Sequence, residues 1–398
     1  MDHTKDASAL ADAPQELAVP SAGGAPSAPQ LDTPPSAGTA APSVSVLMTT
    51  YNGAAFIRDS IDSVLAQSIS DFELVVVDDC STDATPALLA SCSDPRIRVI
   101  RPDRNLGVVG ARNFGLAACR GVYIAAHDHD DLSLPERLAT QVRYLDDHPD
   151  IVLAGAEVLL SMQDGRRLPT DHVPGATPAL VHWMLHVDNP FTYSSVMVRA
   201  DALRQLGCFM RPEAEPADDF DLYHRLLGIG ALARLDETLT IYRWHASNTT
   251  HAQSEQMFAR AAAILTRAYA PWLGADSEAA ARLVVRHLSD RQPVRDAATL
   301  VRLGGFLERL VAGFCDRHAA DDAAARAQIE AHAGRVWWRA VRSAIRSGTP
   351  LALAQHLARQ SLRSGYTPTL RDVVASVAVG SLRAARIGRI AGKRPRGG

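Results

Sequence analysis

The sequence predicts an α/β fold on a mostly parallel sheet, preceded by a disordered tail and followed by a helical C-terminal region. Three observations carry this expectation. Short apolar runs alternate with segments whose apolar residues recur at helical spacing, and polar or acidic clusters follow directly on the runs. Alternation of this kind also demands crossover connections, whose right-handedness lays successive strands parallel.

The elements follow in order. Residues 1–42 are dominated by Ala, Pro, Ser and Gly without hydrophobic period, a composition that cannot bury enough surface to order itself. Val44 to Met48 reads as a strand, Thr49 to Gly53 as a turn, and Ile57, Ile61, Val64 and Leu65 fall at helical spacing. The plan repeats: Phe72 to Val77 is a strand, Asp78-Asp79 closes it, and Ser81 or Thr82 can cap a helix carrying Leu88 and Leu89. A third strand spans 97–100, a helix surrounds 111–118, and a fourth strand spans 122–126. A helix over 135–147, strand-like runs at 151–160 and 190–198 and a helix over 218–228 follow. From about 253 the chain reads as Ala- and Arg-rich helix, broken at Gly304-Gly305, Gly348 to Pro350 and Thr367-Pro368. This sets boundaries of 1–42, 43–250 and 251–398.

Composition narrows the function classes. The 398 residues and an apolar fraction of 47% support a substantial core. The five cysteines are widely spaced without a C-x-x-C pair or zinc spacing, so thiols in a reducing compartment are expected. With no export leader and no apolar run near the roughly 18 residues of a membrane span, a cytoplasmic protein is expected. The formal charge of −3 hides an asymmetry: residues 331–398 hold twelve Arg and one Lys against Asp372. A basic end beside an acidic body suits an anionic lipid surface or a polyanionic substrate; nucleic acid is not expected as a partner. Arg383, Arg386 and Arg389 follow an apolar run at helical spacing, the pattern of a helix lying on an anionic leaflet at the inner membrane or packed on the body with its charges solvated.

His127-Asp128-His129-Asp130-Asp131 sits at the end of the fourth strand. Carboxylates crowded there repel one another unless a cation or proton intervenes, and hard oxygen ligands suit Mg²⁺ or Mn²⁺. A solvated acidic loop is the alternative. His129 is expected to face solvent and His127 to be structural.

Further motifs in order carry a family resemblance: Val44-Ser45-Val46 into Thr50-Tyr51-Asn52, Ser63 to Gln67, Val77 to Asp83, Ala111-Arg112-Asn113, Asp128 to Asp131, Pro135 to Leu138, Asp218 to Leu222 and Tyr242 to His245. Over about residues 43–250 the chain resembles family 2 glycosyltransferases of the GT-A fold, a Rossmann-like nucleotide-diphospho-sugar transferase architecture. The resemblance implies a nucleotide-sugar donor, a glycan or lipid-linked glycan acceptor, and a divalent cation, Mn or Mg, at the leaving diphosphate. It gives Asp130 to the metal, with His245 brought to the metal or the diphosphate by a closing loop over 246–254, a surface or core histidine being the alternative, and Asp128 to the ribose or the metal through water. Thr49, Tyr51, Asp79, Asn105 and Arg112 become donor contacts, with a buried structural ion pair the alternative for Arg112. A carboxylate at Asp79 accepting the uracil imide N–H leans the donor toward a UDP-sugar, and it could cap the loop from Ser81 to Asp83 as well. Asp219 becomes the base of an inverting displacement, with Asp218 where the family carries Glu. N-terminal capping of the helix is the alternative role for these acids.

Three other classes share parts of this pattern. Receiver domains want a Lys that this chain lacks between positions 5 and 393. Sugar-phosphate nucleotidyltransferases want a Gly-rich basic loop after the first strand, where Thr49 to Gly53 offers none. An inactive carbohydrate-binding relative would not need acids at 79, 128, 130 and 219.

Overall fold

A computed structural model describes residues 41–170, 173–245, 248, 253–348, 359, 362 and 365–376. The expected disordered tail to residue 40, most of the expected closing loop at 246–252, and Arg383, Arg386 and Arg389 lie outside the described residues.

Nine strands form one sheet: β1 (Val44–Thr50), β2 (Phe72–Asp78), β3 (Ile97–Ile100), β4 (Tyr123–Asp128), β5 (Leu132–Ser133), β6 (Ile151–Ser161), β7 (Arg167–Pro169), β8 (Met197–Arg199) and β9 (Ala231–Arg243). Their order is β3-β2-β1-β4-β8-β6-β9-β5, with β7 paired to β6. The first four strands are parallel, as expected. Beyond β4 the pairing is mixed: β8 runs antiparallel to β4 and β6, β9 is parallel to β6, and β5 is antiparallel to β9.

The seven helices woven between the strands are α1 (Ile57–Leu65), α2 (Thr85–Ala90), α3 (Gly107–Ala118), α4 (Arg137–Asp147), α5 (Pro178–Met184), α6 (Ala200–Gln205) and α7 (Asp218–Leu226). Four more follow: α8 (Ser254–Leu273), α9 (Ser277–Val284), α10 (Ala297–His318) and α11 (Ala323–Arg346).

Buried strands present alternate residues to opposite faces, so each run serves two apolar layers. Val44, Val46, Met48, Leu74 and Val76 pack with α1, α2 and α4 through Ile57, Ile61, Leu89, Leu138 and Leu145. Leu47, Val75 and Val77 face the other way, into a cluster that continues through Leu116 of α3, Trp183 of α5 and Phe220 of α7 to Tyr269, Leu307, Phe314 and Trp337 of the C-terminal helices. Close approach of α3 to the sheet depends on Gly115, where a Cβ would meet Leu47 Cδ1 at 2.4 Å and Val77 Cγ2 at 2.6 Å. That contact fixes the height of Arg112, one turn earlier on α3.

Two expectations fail. Helix α10 runs unbroken through Gly304-Gly305. The glycines serve packing there: a Cβ on Gly304 would meet the Arg359 side chain at 2.3 Å and Trp337 at 2.9 Å. The strand-like run at 190–198 is a strand only over Met197–Arg199, preceded by the 3₁₀ turn Tyr193–Ser195. Local side-chain bonds outcompete extension here: Asn189 Oδ1 accepts from Phe191 N at 3.1 Å and Ser195 Oγ donates to the Thr192 carbonyl at 2.7 Å.

Candidate active site

Parallel registry sets the carboxyl ends of β1, β2 and β4 level, pairing Thr49 with Asp128 and Thr50 with Asp78. Ligands bind beyond such ends. Here Asp128, Asp130 and Asp131 place carboxylate oxygens within 4.8 Å of one another.

Each acid has a distinct environment. Asp128 Oδ1 accepts from Arg112 Nη2 at 3.2 Å, and its Oδ2 from Ser194 Oγ at 3.1 Å. Asp130 Oδ2 lies 2.9 Å from His245 Nε2, whose ring stacks on Phe56 with centroids 4.5 Å apart. Asp131 is fully buried; Oδ1 accepts from Arg243 N at 3.0 Å, while Oδ2 has no partner. Burial, then repulsion from Asp128 and Asp130, pushes the Asp131 carboxyl well up, and burial also raises Asp128. An orphaned buried oxygen beside two more carboxylates fits a hard divalent cation, because its binding would relieve both the desolvation and the repulsion.

The neighbouring histidines stand apart from this group. His127 is fully buried between Ser60 Oγ, at 3.1 Å, and Arg137 Nη1, at 3.2 Å, and burial first, then Arg137, holds its ring neutral. His129 does not face solvent as expected. It is half-buried, with Nδ1 3.3 Å from the Thr49 carbonyl and the ring against Gly53.

At the first loops, Tyr51 is 50% exposed beside Thr49 at the sheet's open end. Asp79 is buried and accepts from Leu106 N at 2.7 Å and Gly107 N at 2.9 Å, so it ties down the start of α3. The loop over Ser81 to Asp83 is capped by Asp78 instead, through Ser81 N at 2.9 Å. Asn105 Nδ2 donates to the Asp79 carbonyl at 2.8 Å, placing both residues in one knot.

Arg112 joins the two acidic groups. Its Nη1 donates to Asp218 Oδ2 at 2.8 Å while Nη2 reaches Asp128, and the guanidinium lies 3.6 Å from the Tyr193 ring centroid. Sequence reasoning expected a donor contact; the side chain is buried and engaged by both carboxylates. Asp219, next to Asp218 in the chain, forms no ion pair among the described residues: Asn189 Nδ2 donates to its Oδ2 at 3.2 Å and Phe220 N to its Oδ1 at 2.7 Å. Burial and the Asp218 charge raise its pKa to about 6.

Comparison with known proteins then decides the family. The family model described as "Glycosyl transferase family 2" matches residues 45–207. The putative glycosyltransferase EpsE of Bacillus subtilis (strain 168) is 33% identical over 197 residues, which are 48% of this chain and 68% of that protein. The chain belongs to glycosyl transferase family 2. A second relative, the succinoglycan biosynthesis protein ExoO of Rhizobium meliloti (strain 1021), is 46% identical over 123 residues, 31% of this chain; the match spans only 34% of ExoO. Among solved structures, S. aureus TarS 1-349 in complex with UDP-GlcNAc aligns over 82% of this chain and 93% of that one, at 17% identity and a TM-score of 0.48.

The glycosyltransferase sheet, with its parallel first half and mixed second half, is the GT-A arrangement, and the site of this family 2 chain includes residues that sequence reasoning missed. Asp131 was visible in the acidic run but indistinguishable from its neighbours until burial singled it out. Ser194 lies in the segment expected as a strand and Asn189 directly precedes it, where Pro190 beside polar residues was the available signal. Asn248 donates to Asp130 Oδ2 at 3.4 Å and Arg243 grips Asp131 through its main chain; no spacing rule foretells either contact.

Proposed function

We propose that this glycosyltransferase is metal-dependent and inverting, moving a sugar from a nucleotide-sugar, by its Asp79 a UDP-sugar, to a glycan or lipid-linked glycan in polysaccharide or cell-envelope biosynthesis. The observation that carries the reading is the chain of contacts Asp130-Asp128-Arg112-Asp218-Asp219, which puts a cation-fitting cluster and a carboxylate of raised pKa at two ends of one site. The succinoglycan name of one relative supports the polysaccharide class.

Asp128, Asp130 and Asp131 would hold the cation, with His245 orienting Asp130. A divalent cation bound there supplies a Lewis acid that neutralises charge on the leaving diphosphate. Thr49, Tyr51, Asp79 and Asn105 frame the nucleotide; Asp79 retains a second lone pair on each oxygen for an imide N–H. Arg112 positions Asp128 and Asp218. Asp219 takes the proton of the acceptor hydroxyl as that oxygen bonds to the anomeric carbon, and the bond from that carbon to the diphosphate oxygen breaks with its electron pair on the leaving group. Opposite-side attack inverts configuration. The enzyme would work in the cytoplasm, peripheral to the inner membrane, a placement supported by the basic composition of residues 331–398.

A panel of nucleotide-sugars assayed with Mn²⁺ for binding and donor hydrolysis tests this. Wild-type-like binding and turnover by Asp130→Ala would refute the metal assignment.

A further inference from the structure

The chain leaves helix α5 through three carbonyls, those of Leu185, His186 and Val187, that cannot bond the N–H four residues on. Asn189 N donates to Asp188 Oδ1 at 3.0 Å, Pro190 carries no N–H, and Phe191 N is taken by Asn189 Oδ1 at 3.1 Å. All three residues are buried, so unpaired carbonyls there would be costly.

Side chains from three other elements answer them in turn. His224 Nε2 of α7 donates to the Leu185 carbonyl at 3.1 Å, and the Tyr269 hydroxyl of α8 donates to that of His186. Ser289 Oγ, in the π-helical turn Val285–Ser289, donates to that of Val187 at 3.1 Å. Two of the three donors thus come from the helical region that follows β9. The same region adds Trp272, whose ring lies 5.2 Å from that of His186, and Arg267, which reaches Asp221 of α7 at 3.4 Å.

This grip ends two residues short of the reaction centre. Because Asn189 Oδ1 accepts from Phe191 N, its Nδ2 is the end of the amide turned to Asp219, and it donates to Oδ2 there at 3.2 Å. Burial and then the Asp218 charge raise the Asp219 pKa, while Arg112, Phe220 N and Asn189 lower it; the Tyr193 and Tyr223 hydroxyls are the other titratable groups beside it. A donor held against a carboxylate favours its ionised form, the form a general base needs.

We propose that the C-terminal helices serve the transfer reaction through Tyr269 and Ser289, positioning residues that fix the carbonyls at 186 and 187 and thereby hold the Asn189 amide against Asp219. The proposal rests on the reading of Asp219 as the base and gives the helices after β9 a part in it. A hydroxyl removed from either residue frees a buried carbonyl, and the segment carrying Asn189 then loses one of its fixed points.

The test follows the ionisation of Asp219 in the full chain labelled with ¹³C at the aspartate carboxyls, the Asp219 signal being assigned by its loss in Asp219→Asn. Asn189→Ala is expected to lower the ionisation constant about fivefold, the worth of one hydrogen bond. Tyr269→Phe and Ser289→Ala should each lower it at least about twofold, with UDP affinity in Mn²⁺ within about twofold of wild type by calorimetry. On the Asn189→Ala background Tyr269→Phe should lower it no further, since residues acting through one contact are not additive. Variants that melt lower while the Asp219 ionisation stays at its wild-type value have lost packing only, and this overturns the proposal; so does full additivity of Tyr269→Phe with Asn189→Ala. Should one of the two variants not fold, the other decides. Donor hydrolysis undiminished in Asp219→Asn would instead strike the reading of Asp219 as the base, so the two failures are separable.

Discussion

Two acidic clusters face each other across this site, and they are built on opposite plans. Asp128, Asp130 and Asp131 come from the end of a buried strand, with ligand atoms within 4.8 Å, and their shared charge remains unrelieved where Asp131 Oδ2 lacks a partner. Asp218, Asp219 and Asp221 open helix α7, and there the charge is divided: Asp218 goes to Arg112 and Asp221 to Arg225, leaving Asp219 with a pKa of about 6. On the proposed reading, crowded carboxylates with an orphaned oxygen would make a metal site, and neutralising the neighbours while sparing one carboxylate would make a base. The same residue type would then acquire two functions from its partners, not from its identity.

The comparison breaks most visibly at Asp130. Asp130→Ala is expected to lose turnover by about 10³-fold, since a cation on a leaving phosphate is worth several kcal/mol, with loss of Mn²⁺-dependent UDP binding by calorimetry. Asp219→Asn should separate the clusters: transfer falls at least about 10²-fold, the usual range for a general base, while donor affinity stays within about twofold of wild type. Equal loss of donor binding in both variants would dissolve the distinction.

Asp219 also gives the comparison a pH dependence. Its carboxyl must be ionised to accept a proton, so kcat/KM should rise about tenfold per pH unit below about 6 and level above it. Folding moves in the opposite sense. Because the folded pKa lies above the ordinary value of 3.8, ionisation opposes the folded state; the cost is absent below about 3.8 and complete above about 6. Asp219→Asn should therefore melt higher than wild type at pH 8 and no higher at pH 3.5. A residue serving only to cap α7 would show the reverse at pH 8.

How far the sequence foretold this differs between the two clusters. Around the strand-end group, the four apolar runs read as strands, and their alternation with helical segments placed Asp79 and Asp128 at the carboxyl ends of strands in one parallel sheet. The resemblance added Asp130, His245 and Asp219. The second cluster depended on tertiary events that local pattern does not encode. Arg112 lies 106 residues from Asp218 in the chain, and only the depth of α3, set by Gly115 against Leu47 and Val77, brings them together. Residues 190–196 look extended by composition, yet Asn189, Thr192 and Ser195 fold them into a turn. Gly304-Gly305 reads as a break until the bulk of Arg359 and Trp337 explains the absence of side chains.

Arg112→Lys probes the link between the clusters. One ammonium cannot reproduce a fork spanning Asp128 and Asp218, so one charged hydrogen bond is lost. Turnover should fall about tenfold, and the melting temperature should fall with it, because a buried carboxylate loses part of its pairing.

The smallest expected effect belongs to Ser194, and it sharpens the comparison most finely. Its hydroxyl donates to Asp128 Oδ2 and accepts from Asp128 N, each at 3.1 Å, so it holds the carboxylate against the end of β4 without sharing its charge. Ser194→Ala removes that restraint but leaves the cluster's three carboxylates and the Arg112 bridge. A neutral hydrogen bond contributes about 1 kcal/mol, hence about a fivefold loss of Mn²⁺-dependent donor affinity, with the acid limb near pH 6 unmoved because Asp219 keeps its surroundings. A shifted limb in Ser194→Ala would mean that the clusters are coupled through the turn at 193–195 as well as through Arg112, and that the division of labour between them is incomplete.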